Sequence, residues 1–308
     1  MYHCALFDID GVLVDIRRSY NTAIKKTVEF VLNQISGRAF RNLVTDQIIL
    51  RFRQAGGFNN DADTCYAIAL AMLANPPSSE AEGRRFLAKV AENADETGII
   101  AVERFLSSYG TGRWKRVLDY PAPVKDSMLA RVFDEFFYGP ELFRARHHLE
   151  PKYWSGSRPL IKSDRLVVSR STMKVLHEML GGNLAVVSGR SRMAAEYSLG
   201  PVMKYLRLDA CVFLEDERRE YAKPNPYAIK RAMQAMGAKT AVYAGDSAED
   251  LLMARHAEKE LGVRISFVGV YGCSPRPAQT LSRFREQGVE AIAKSVNQLP
   301  RIVKKSSL

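Results

Sequence analysis

The chain has 308 residues, enough for about two domains that each bury a core of their own. Apolar residues make up 46% of the chain and charged residues 26%, so collagen-like, coiled-coil and disordered classes are excluded. The longest apolar stretch, residues 65–74, is much shorter than the roughly 18 residues that a transmembrane helix needs. We therefore expect a protein without a membrane span.

Lysine and arginine outnumber aspartate and glutamate by 45 to 34, which gives a formal charge of +11. This excess is spread along the whole chain, without a long basic run or a basic stretch interleaved with aromatic residues. Nucleic acid is therefore disfavoured as a partner, whereas small anionic molecules are compatible with the charge.

The four cysteines lie far apart and form no CxxC pair, so neither a disulfide framework nor a thiolate metal site is indicated. A reducing compartment fits this pattern, and we expect a cytoplasmic protein without a removable signal segment. The tripeptide Ser306-Ser307-Leu308 is similar to the S-K-L peroxisomal address except at its centre, so a peroxisome-like organelle is the alternative location.

An apolar run at residues 4–7 ends abruptly in polar residues and predicts a buried strand of a parallel sheet. Residues 16–165 follow with little strand pattern. Their helix-period stretches lie at residues 20–32, 64–74, 82–93 and 127–137. Glycine and proline turn signals separate these stretches. We therefore predict an all-helical domain inserted after the first strand.

The rest of the chain alternates strand and helix patterns. Strands are predicted at residues 184–187, 241–244, 265–270 and 291–293. Helices are predicted at 193–199, 227–236, 251–261 and from 275 to about 287. This alternation is typical of the α/β class with a doubly wound, Rossmann-like parallel sheet. The expected domains are residues 1–15 with 166–308, and the insertion at 16–165.

Two carboxylates, Asp8 and Asp10, follow the first strand, and Gly11 then lets the chain turn away. Residues i and i+2 of a strand project to the same side, so both carboxylates would lie at the carboxyl end of the sheet, where α/β folds bind ligands. Such neighbours repel unless a cation or a shared proton intervenes, which predicts a metal or split acid/base roles. Solvated carboxylates at a turn are the alternative.

Two further strand ends carry groups that can bind an anion. Ser188 and Gly189 offer a hydroxyl and a backbone N–H where a helix opens. Lys223 precedes Pro224, which favours an extended backbone and presents the ammonium just ahead of a helix. Ordinary turn chemistry and a solvated surface lysine are the alternatives.

A second acidic pair, Asp246 and Asp250, follows the strand at 241–244 and is spaced by one helical turn. The spacing from Ser247 to Asp250 is also that of a capping box at a helix N-terminus. The metal-site and capping roles are compatible with each other.

With all four motifs in this order, the sequence resembles the haloacid dehalogenase-like (HAD-like) hydrolase superfamily over residues 1–15 and about 171–270. The motifs that carry the resemblance are Asp-x-Asp-Gly, a strand-end Ser, Lys followed by Pro, and Gly-Asp-x-x-x-Asp. The resemblance implies a subfamily I phosphatase whose helical type-1 cap is the insertion at 16–165. It also implies Mg²⁺-dependent hydrolysis of a small phosphorylated metabolite through an aspartyl-phosphate.

In such an enzyme Asp8 would be the nucleophile, and Asp10 would act first as general acid and then as general base. Mg²⁺ would be held by Asp8, the backbone carbonyl of Asp10 and Asp246, with Asp250 in support. The phosphoryl group in transfer would be bound by Ser188, Gly189 and Lys223.

Several related activities remain open at this stage. Asp10 favours phosphoryl chemistry over dehalogenation, which needs no acid two residues after its nucleophile. Phosphonate cleavage needs a cap lysine as Schiff base, and Lys25 and Lys26 are more typical of a solvated helix face. A phosphomutase of the β-phosphoglucomutase type would share every motif. A nucleic-acid 3′-phosphatase and a catalytically silent binding protein are the further alternatives.

The loop at residues 56–61, Gly-Gly-Phe-Asn-Asn-Asp, combines glycines with polar groups and is a candidate specificity loop. The candidate specificity residues are Arg17, Ser19, Tyr20, Gly57, Asn59 and Asn60. The alternative is that the loop only caps the next helix, with Asn60, Asp61 or Asp63 as the N-cap.

Overall fold

The structure is a computed structural model that describes residues 2–38, 40–58, 60–156 and 158–305. The candidate specificity residue Asn59 and the tripeptide at 306–308 lie outside the described residues. The chain forms two compact units, one of Met1–Ile16 with Asp164–Leu308 and one of Arg17–Ser163. The divisions fall at 16/17 and 163/164, next to the boundaries at 15/16 and 165/166 expected from the sequence.

The strands of the described chain all belong to the first unit. In chain order they are Cys4–Phe7 (β1), Val14–Asp15 (β2), Arg165–Leu166 (β3), Leu184–Ser188 (β4), Val212–Phe213 (β5), Thr240–Gly245 (β6), Arg264–Val270 (β7) and Ala291–Ala293 (β8). The predicted strands are confirmed to within a residue or so at each end. The sequence does not predict β2, β3 and β5, because they have two residues each and are too short to show a pattern.

The α-helices follow the predicted division between a helical insertion and an alternating remainder. They are Tyr20–Ser36 (α1), Asp46–Ala55 (α2), Asp61–Ala74 (α3), Glu80–Glu92 (α4), Ile99–Phe105 (α5), Gly112–Leu118 (α6), Met128–His147 (α7), Arg170–Met179 (α8), Arg192–Leu199 (α9), Tyr227–Ala235 (α10), Ala248–Leu261 (α11), Pro277–Glu286 (α12) and Leu299–Lys305 (α13). Helix α7 is broken by a non-helical backbone at Gly139.

One parallel sheet with strand order β5-β4-β1-β6-β7-β8 forms the centre of the first unit. The chain builds outward from β1 to β4 and β5 on one side and then returns to β6 on the other. The strand order therefore reverses between β1 and β6, and ligands of open α/β sheets bind outside the carboxyl ends of the strands at such a point. The predicted doubly wound fold is confirmed.

The apolar strands explain this arrangement physically. Every residue of β1 and β4 is buried, as expected for strands covered on both faces. Helix α10 packs against β4 and β1, and α11 packs against β7 and β6. The short strands β2 and β3 pair antiparallel, with Val14 opposite Leu166.

Helix α3 is the centre of the second unit. All its residues from 62 to 73 are buried, because a helix that is apolar on every side must be enclosed by others. It packs against α1, α4, α5, α6 and α7. In the described part of the chain, no helix is both long and apolar enough to cross a bilayer.

Candidate active site

The two acidic motifs meet at the carboxyl ends of β1 and β6. Phe7 pairs with Ala244 in the parallel register, and the Asp8 N–H continues the ladder by donating to the Ala244 carbonyl at 2.9 Å. Asp8 and Asp246 therefore follow neighbouring strand ends. One carboxylate oxygen from each of Asp8, Asp246 and Asp250 lies within 4.8 Å of the others. The sequence predicted this convergence, and the structure contains it.

Gly11 allows the first motif to turn tightly against the second. Its φ of +74° lies in the left-handed region, and a Cβ on this residue would lie only 1.9 Å from Asp246 Oδ2. Both the backbone conformation and the close approach therefore require glycine here.

Lys223 is buried between two of the carboxylates. Its Nζ donates to Asp250 Oδ1 at 2.7 Å and lies 2.9 Å from Asp8 Oδ1. The segment after it ends in the predicted helix start, where Asn225 Oδ1 accepts from the Tyr227 N–H at 2.9 Å. The ammonium is thus held inside the site by two carboxylates and is not a solvated surface group.

Asp250 accepts hydrogen bonds on both carboxylate oxygens. Oδ1 accepts from Lys223 Nζ at 2.7 Å and from the Tyr243 hydroxyl at 2.5 Å. Oδ2 accepts from the N–H groups of Asp246 and Ser247, both at 3.1 Å, and from the Ser247 hydroxyl at 2.7 Å. Since a carboxylate offers about four lone-pair sites, these donors leave little room for a metal ion. Asp250 therefore fits a supporting role, and its predicted capping box with Ser247 is confirmed.

The pKa values show where negative charge is not compensated. Burial raises the pKa of the Asp8 carboxyl to about 7 against the opposing effect of the Lys223 ammonium, and Asp250 and Asp10 raise it further. Burial alone would also raise the pKa of Asp250, but its hydrogen-bond donors, Lys223 above all, hold that pKa below its ordinary value. The two carboxyls differ because Asp250 accepts from Tyr243 and Ser247 as well as from Lys223. Negative charge on Asp8 is therefore the less stabilised of the two.

The cluster fits a divalent cation. Asp8 Oδ1 is buried and, although it lies 2.9 Å from the ammonium, it accepts no hydrogen bond from the described residues. The carboxylates of Asp8, Asp246 and Asp250 meet here, and the Lys223 ammonium lies beside two of them, Asp8 and Asp250. Carboxylate oxygens are hard ligands of the kind that Mg²⁺ prefers. Asp8 and Asp246 are the residues best placed to supply them.

Ser188 is buried at the end of β4, and Gly189 follows it directly. The N-terminus of the next helix was expected to share their anion site, but α9 begins later, at Arg192. The N–H groups at its start are already occupied. The N–H groups of Ser191 and Arg192 donate to the carboxylates of Glu215 and Asp216 at 2.9 and 2.7 Å. These N–H groups are thus no part of the predicted anion site, and Ser188 and Gly189 remain its candidates at this edge.

Sequence reasoning missed the role of Arg190, which is the largest fully buried side chain of the described residues. Its Nε donates to Asp10 Oδ1 at 2.6 Å. Its Nη1 donates to Asp164 Oδ2 and to the Ser198 hydroxyl, both at 2.7 Å. Arg190 thereby ties Asp10 to a fixed group of side chains. Its place two residues after the strand-end serine was the only signal, and a buried arginine is rare enough that the sequence favours exposure.

Among the candidate specificity residues of the helical unit, Tyr20 and Asn60 have contacts within that unit. Tyr20 is buried, with its ring centroid 4.0 Å from that of Phe137. Ser19 is buried immediately before α1, and Arg17 is half-buried. Asn60 is the N-cap of α3 and accepts from the Ala62 N–H at 2.9 Å, as the capping alternative predicted.

Gly57 in the same loop lies against the backbone of a second loop. A Cβ on Gly57 would lie 2.4 Å from Gly98 N and 2.6 Å from Glu96 O. Its φ of +72° again favours glycine. The glycine pair at 56–57 therefore permits packing of two loops within the helical unit, which accounts for it without a substrate contact.

Comparison with known proteins shows the family of this chain. The family model of haloacid dehalogenase-like hydrolases matches residues 2–258, so the chain belongs to this family of hydrolases. Pyrophosphatase PpaX of Halalkalibacterium halodurans is 36% identical over 107 residues, which cover 32% of this chain and 43% of that protein. The chain thus spans less than half the length of the curated relative that it matches.

Two solved structures are similar in fold. Phosphatase Tt82 from Thermococcus thioreducens is 23% identical, with a TM-score of 0.58 over 93% of this chain and 98% of that chain. A haloacid dehalogenase-like hydrolase from Bacteroides fragilis is 16% identical, with a TM-score of 0.50 over 97% of this chain and all of that one. At these identities the likeness concerns the fold alone.

Proposed function

We propose that this hydrolase is a Mg²⁺-dependent phosphatase that hydrolyses a small phosphate monoester through an aspartyl-phosphate on Asp8. The observation that carries the proposal is the convergence of Asp8, Lys223, Asp246 and Asp250 at the carboxyl ends of adjacent strands. The names of relatives that are phosphatases or a pyrophosphatase support the same reaction class.

In the first step an Asp8 oxygen attacks phosphorus, and the bond from phosphorus to the leaving oxygen breaks. Asp10 gives its proton to the leaving oxygen. In the second step water attacks the same phosphorus, Asp10 takes a proton from that water, and the bond from phosphorus to the Asp8 oxygen breaks. This restores the Asp8 carboxylate and releases inorganic phosphate. Arg190, which donates to Asp10 at 2.6 Å, would act as a positioning residue for both transfers.

The remaining groups of the site would bind the phosphoryl group. Lys223 would place a fixed positive charge beside Asp8, and Ser188 and Gly189 would add a hydroxyl and an N–H. Asp8 and Asp246, with the Asp10 carbonyl and with Asp250 in support, would hold Mg²⁺. The ion supplies a Lewis acid that offsets the repulsion between a carboxylate and a phosphate dianion.

The helical unit Arg17–Ser163 is the candidate cap, because it is inserted in the chain directly after the first motif. A cap that closes over the site would exclude water and favour small substrates over polymers. We therefore propose a small phosphorylated metabolite as the substrate. A cytoplasmic location is a separate part of the proposal and is based on the cysteine pattern of the sequence.

A panel of phosphate monoesters tests the proposal. The protein should release inorganic phosphate from at least one small ester with Mg²⁺, lose this activity in excess chelator and regain it when Mg²⁺ is added back. Full activity in excess chelator would contradict the metal assignment. Conversion of a sugar phosphate to its positional isomer without phosphate release would instead identify a phosphomutase.

A salt series separates small substrates from nucleic acid. Activity on a small ester should change little with salt, whereas activity on a 3′-phosphorylated oligonucleotide would fall steeply if phosphate contacts along the strand bound it. Higher activity on the oligonucleotide at low salt than on every small ester would reject the small-metabolite proposal.

A further inference from the structure

A cleft of about 390 Å³ lies within the helical unit, and every residue that lines it belongs to that unit. One wall is a face of α1, and the others come from α7, from the loop that follows it and from Arg41 in the segment between α1 and α2. None of the strand-end carboxylates of the candidate active site lines this cleft. Its ligand chemistry therefore has to be argued separately from the proposed phosphatase site.

The α1 wall is a stripe produced by helical spacing. Lys26, Phe30 and Asn33 are three and four residues apart, so they lie on one face of the helix. The Phe30 ring packs edge-on against Phe136 of α7, with 5.8 Å between the ring centroids. Trp154 adds an indole from the loop after α7. The cleft therefore presents aromatic surface with polar groups at its sides.

The charges around this aromatic surface are predominantly positive. Lys26, Arg41 and Arg158 line the cleft, and Glu29 is its one acidic lining residue. Within the described residues, Lys26 and Arg41 make no ion pair. Arg158 donates to a backbone carbonyl, that of Lys162, at 2.8 Å. These cations therefore keep positive charge that a ligand can neutralise.

The adjacent lysines of α1 show the contrast directly. Lys25 Nζ lies 2.7 Å from Asp46 Oδ1 and is neutralised within the unit. Lys26, one residue later, faces the cleft instead. The Lys25-Lys26 pair, considered above for Schiff-base chemistry, is thus divided between a surface ion pair and the wall of the cleft.

We infer that this cleft binds an anionic ligand with an aromatic ring, of the size of a nucleoside monophosphate. Guanidinium and ammonium groups bind phosphate oxygens, and Trp and Phe faces stack on planar rings. A volume of about 390 Å³ falls in the range of small-molecule pockets, roughly 300–1,000 Å³. The site goes beyond the proposed phosphatase reaction, because its residues are separate from the catalytic motifs.

Binding of AMP to the full chain tests this inference. The protein would carry Asp8→Asn to prevent hydrolysis and Trp114→Phe so that Trp154 is the remaining tryptophan of the two. In excess chelator, AMP should change the Trp154 fluorescence saturably, and calorimetry should give the same affinity. Adenosine, which lacks the charge, and ribose 5-phosphate, which lacks the ring, should each bind at least about tenfold more weakly.

Charge-reversal variants locate the bound nucleotide. Lys26→Glu and Arg41→Glu should each weaken AMP binding by at least about tenfold. Arg38→Glu is the matched control: it makes the same change of charge at an exposed residue three positions before Arg41 that does not line the cleft, and it should leave the affinity within about twofold.

Four results would overturn the inference. The first is no saturable binding of AMP, and the second is equal affinity for AMP and adenosine. The third is an equal loss of affinity in all three charge-reversal variants. The fourth is loss of AMP binding in Lys223→Met with no loss in Arg41→Glu, which would place AMP at the carboxylate cluster. Phosphatase activity of Arg41→Glu, measured with Asp8 intact on a small ester, should be unchanged, so the two proposals can fail independently.

Discussion

The two units of this protein treat buried acidic side chains in different ways. In the α/β unit, Asp8 and Asp250 meet at one edge of the sheet around Lys223. In the helical unit, buried acids are scattered and each has a local partner. Asp63 accepts from the Tyr120 hydroxyl at 2.5 Å, and Asp134 Oδ2 lies 2.7 Å from His147 Nε2.

The difference follows from geometry. Parallel strands end at a common edge, so polar residues that follow several strands converge there even when they lie far apart in the chain. Helices of a bundle point their polar groups in many directions, and each buried acid must find its donor nearby. Glu135, for example, accepts from Arg131 Nε at 2.9 Å and from the Lys152 N–H at 2.8 Å. Of the convergent acids, Asp250 is satisfied by its donors, whereas Asp8 keeps a raised pKa. The scattered acids are each paired within the helical unit.

The largest expected effect is at the convergent edge, with Asp8→Asn. The amide keeps the shape of the carboxylate but is not the nucleophile that the proposed reaction needs, so turnover of phosphate esters should be undetectable. Steady-state phosphate release measures this, and a thermal unfolding curve like that of the wild type shows that the fold is intact. Normal turnover by a folded Asp8→Asn protein would remove Asp8 from the mechanism.

The next largest effect is expected for Asp10→Asn, which removes proton transfer and should lower kcat by about 10²–10⁴-fold. The loss should be greatest for alkyl esters, whose leaving oxygen needs a proton, and smaller for p-nitrophenyl phosphate. Equal losses on both kinds of ester would argue against a general-acid role.

Lys223→Met should lower both activity and stability. Loss of one preorganised donor costs about 10²–10³-fold in kcat, and removal of one partner from a buried ion pair costs about 3–5 kcal/mol in the free energy of unfolding. Urea unfolding and ester hydrolysis measure the two effects. Lys25→Met is the control, because its ion pair with Asp46 is partly exposed and should contribute less than about 1 kcal/mol. Equal destabilisation by the two variants would mean that the buried ion pairs of Lys223 stabilise the fold no more than an exposed ion pair does.

Arg190→Lys tests the positioning of Asp10. Lysine keeps the charge but cannot donate to Asp10 and Asp164 in the same fixed geometry, so we expect about a 10²-fold lower kcat with little change in KM. As for Asp10→Asn, poor leaving groups should be affected most. A uniform loss across leaving groups, matched by a loss of stability, would indicate a structural role alone.

The smallest effect belongs to the helical unit. Asn60→Ala removes the N-cap of α3 and should cost about 1 kcal/mol in the free energy of unfolding. If capping is its whole role, kcat/KM should change equally for the true substrate and for an artificial ester. Thr45→Ala removes the N-cap of α2 and is the matched control. A selective loss of kcat/KM for the true substrate in Asn60→Ala alone would restore the specificity-loop hypothesis.

Much of the site could be predicted because its residues adjoin strongly patterned strands. The apolar runs that become β1, β4, β6 and β7 are short and end sharply, so the positions of Asp8, Ser188 and Asp246 at strand ends follow from the pattern alone. The capping box of Ser247 and Asp250 is likewise a local signal within one helical turn.

Other features depend on residues that only the tertiary structure brings together. The partners of Arg190 lie at positions 10, 164 and 198, so no local pattern could indicate its burial. The hydrogen bonds that Asp250 accepts from the Lys223 ammonium and the Tyr243 hydroxyl were equally invisible, because both donors are placed by the tertiary structure.

The sequence by itself determined the fold class and placed the candidate catalytic residues at strand ends, because periodicity and strand-end motifs are local properties of the chain. Tertiary structure decided which acids are neutralised and which retain charge, and it formed the cleft between α1, α7 and the loop after α7. The physical reason is that burial, hydrogen-bond alignment and Coulomb energy depend on distances between residues that are remote in the chain.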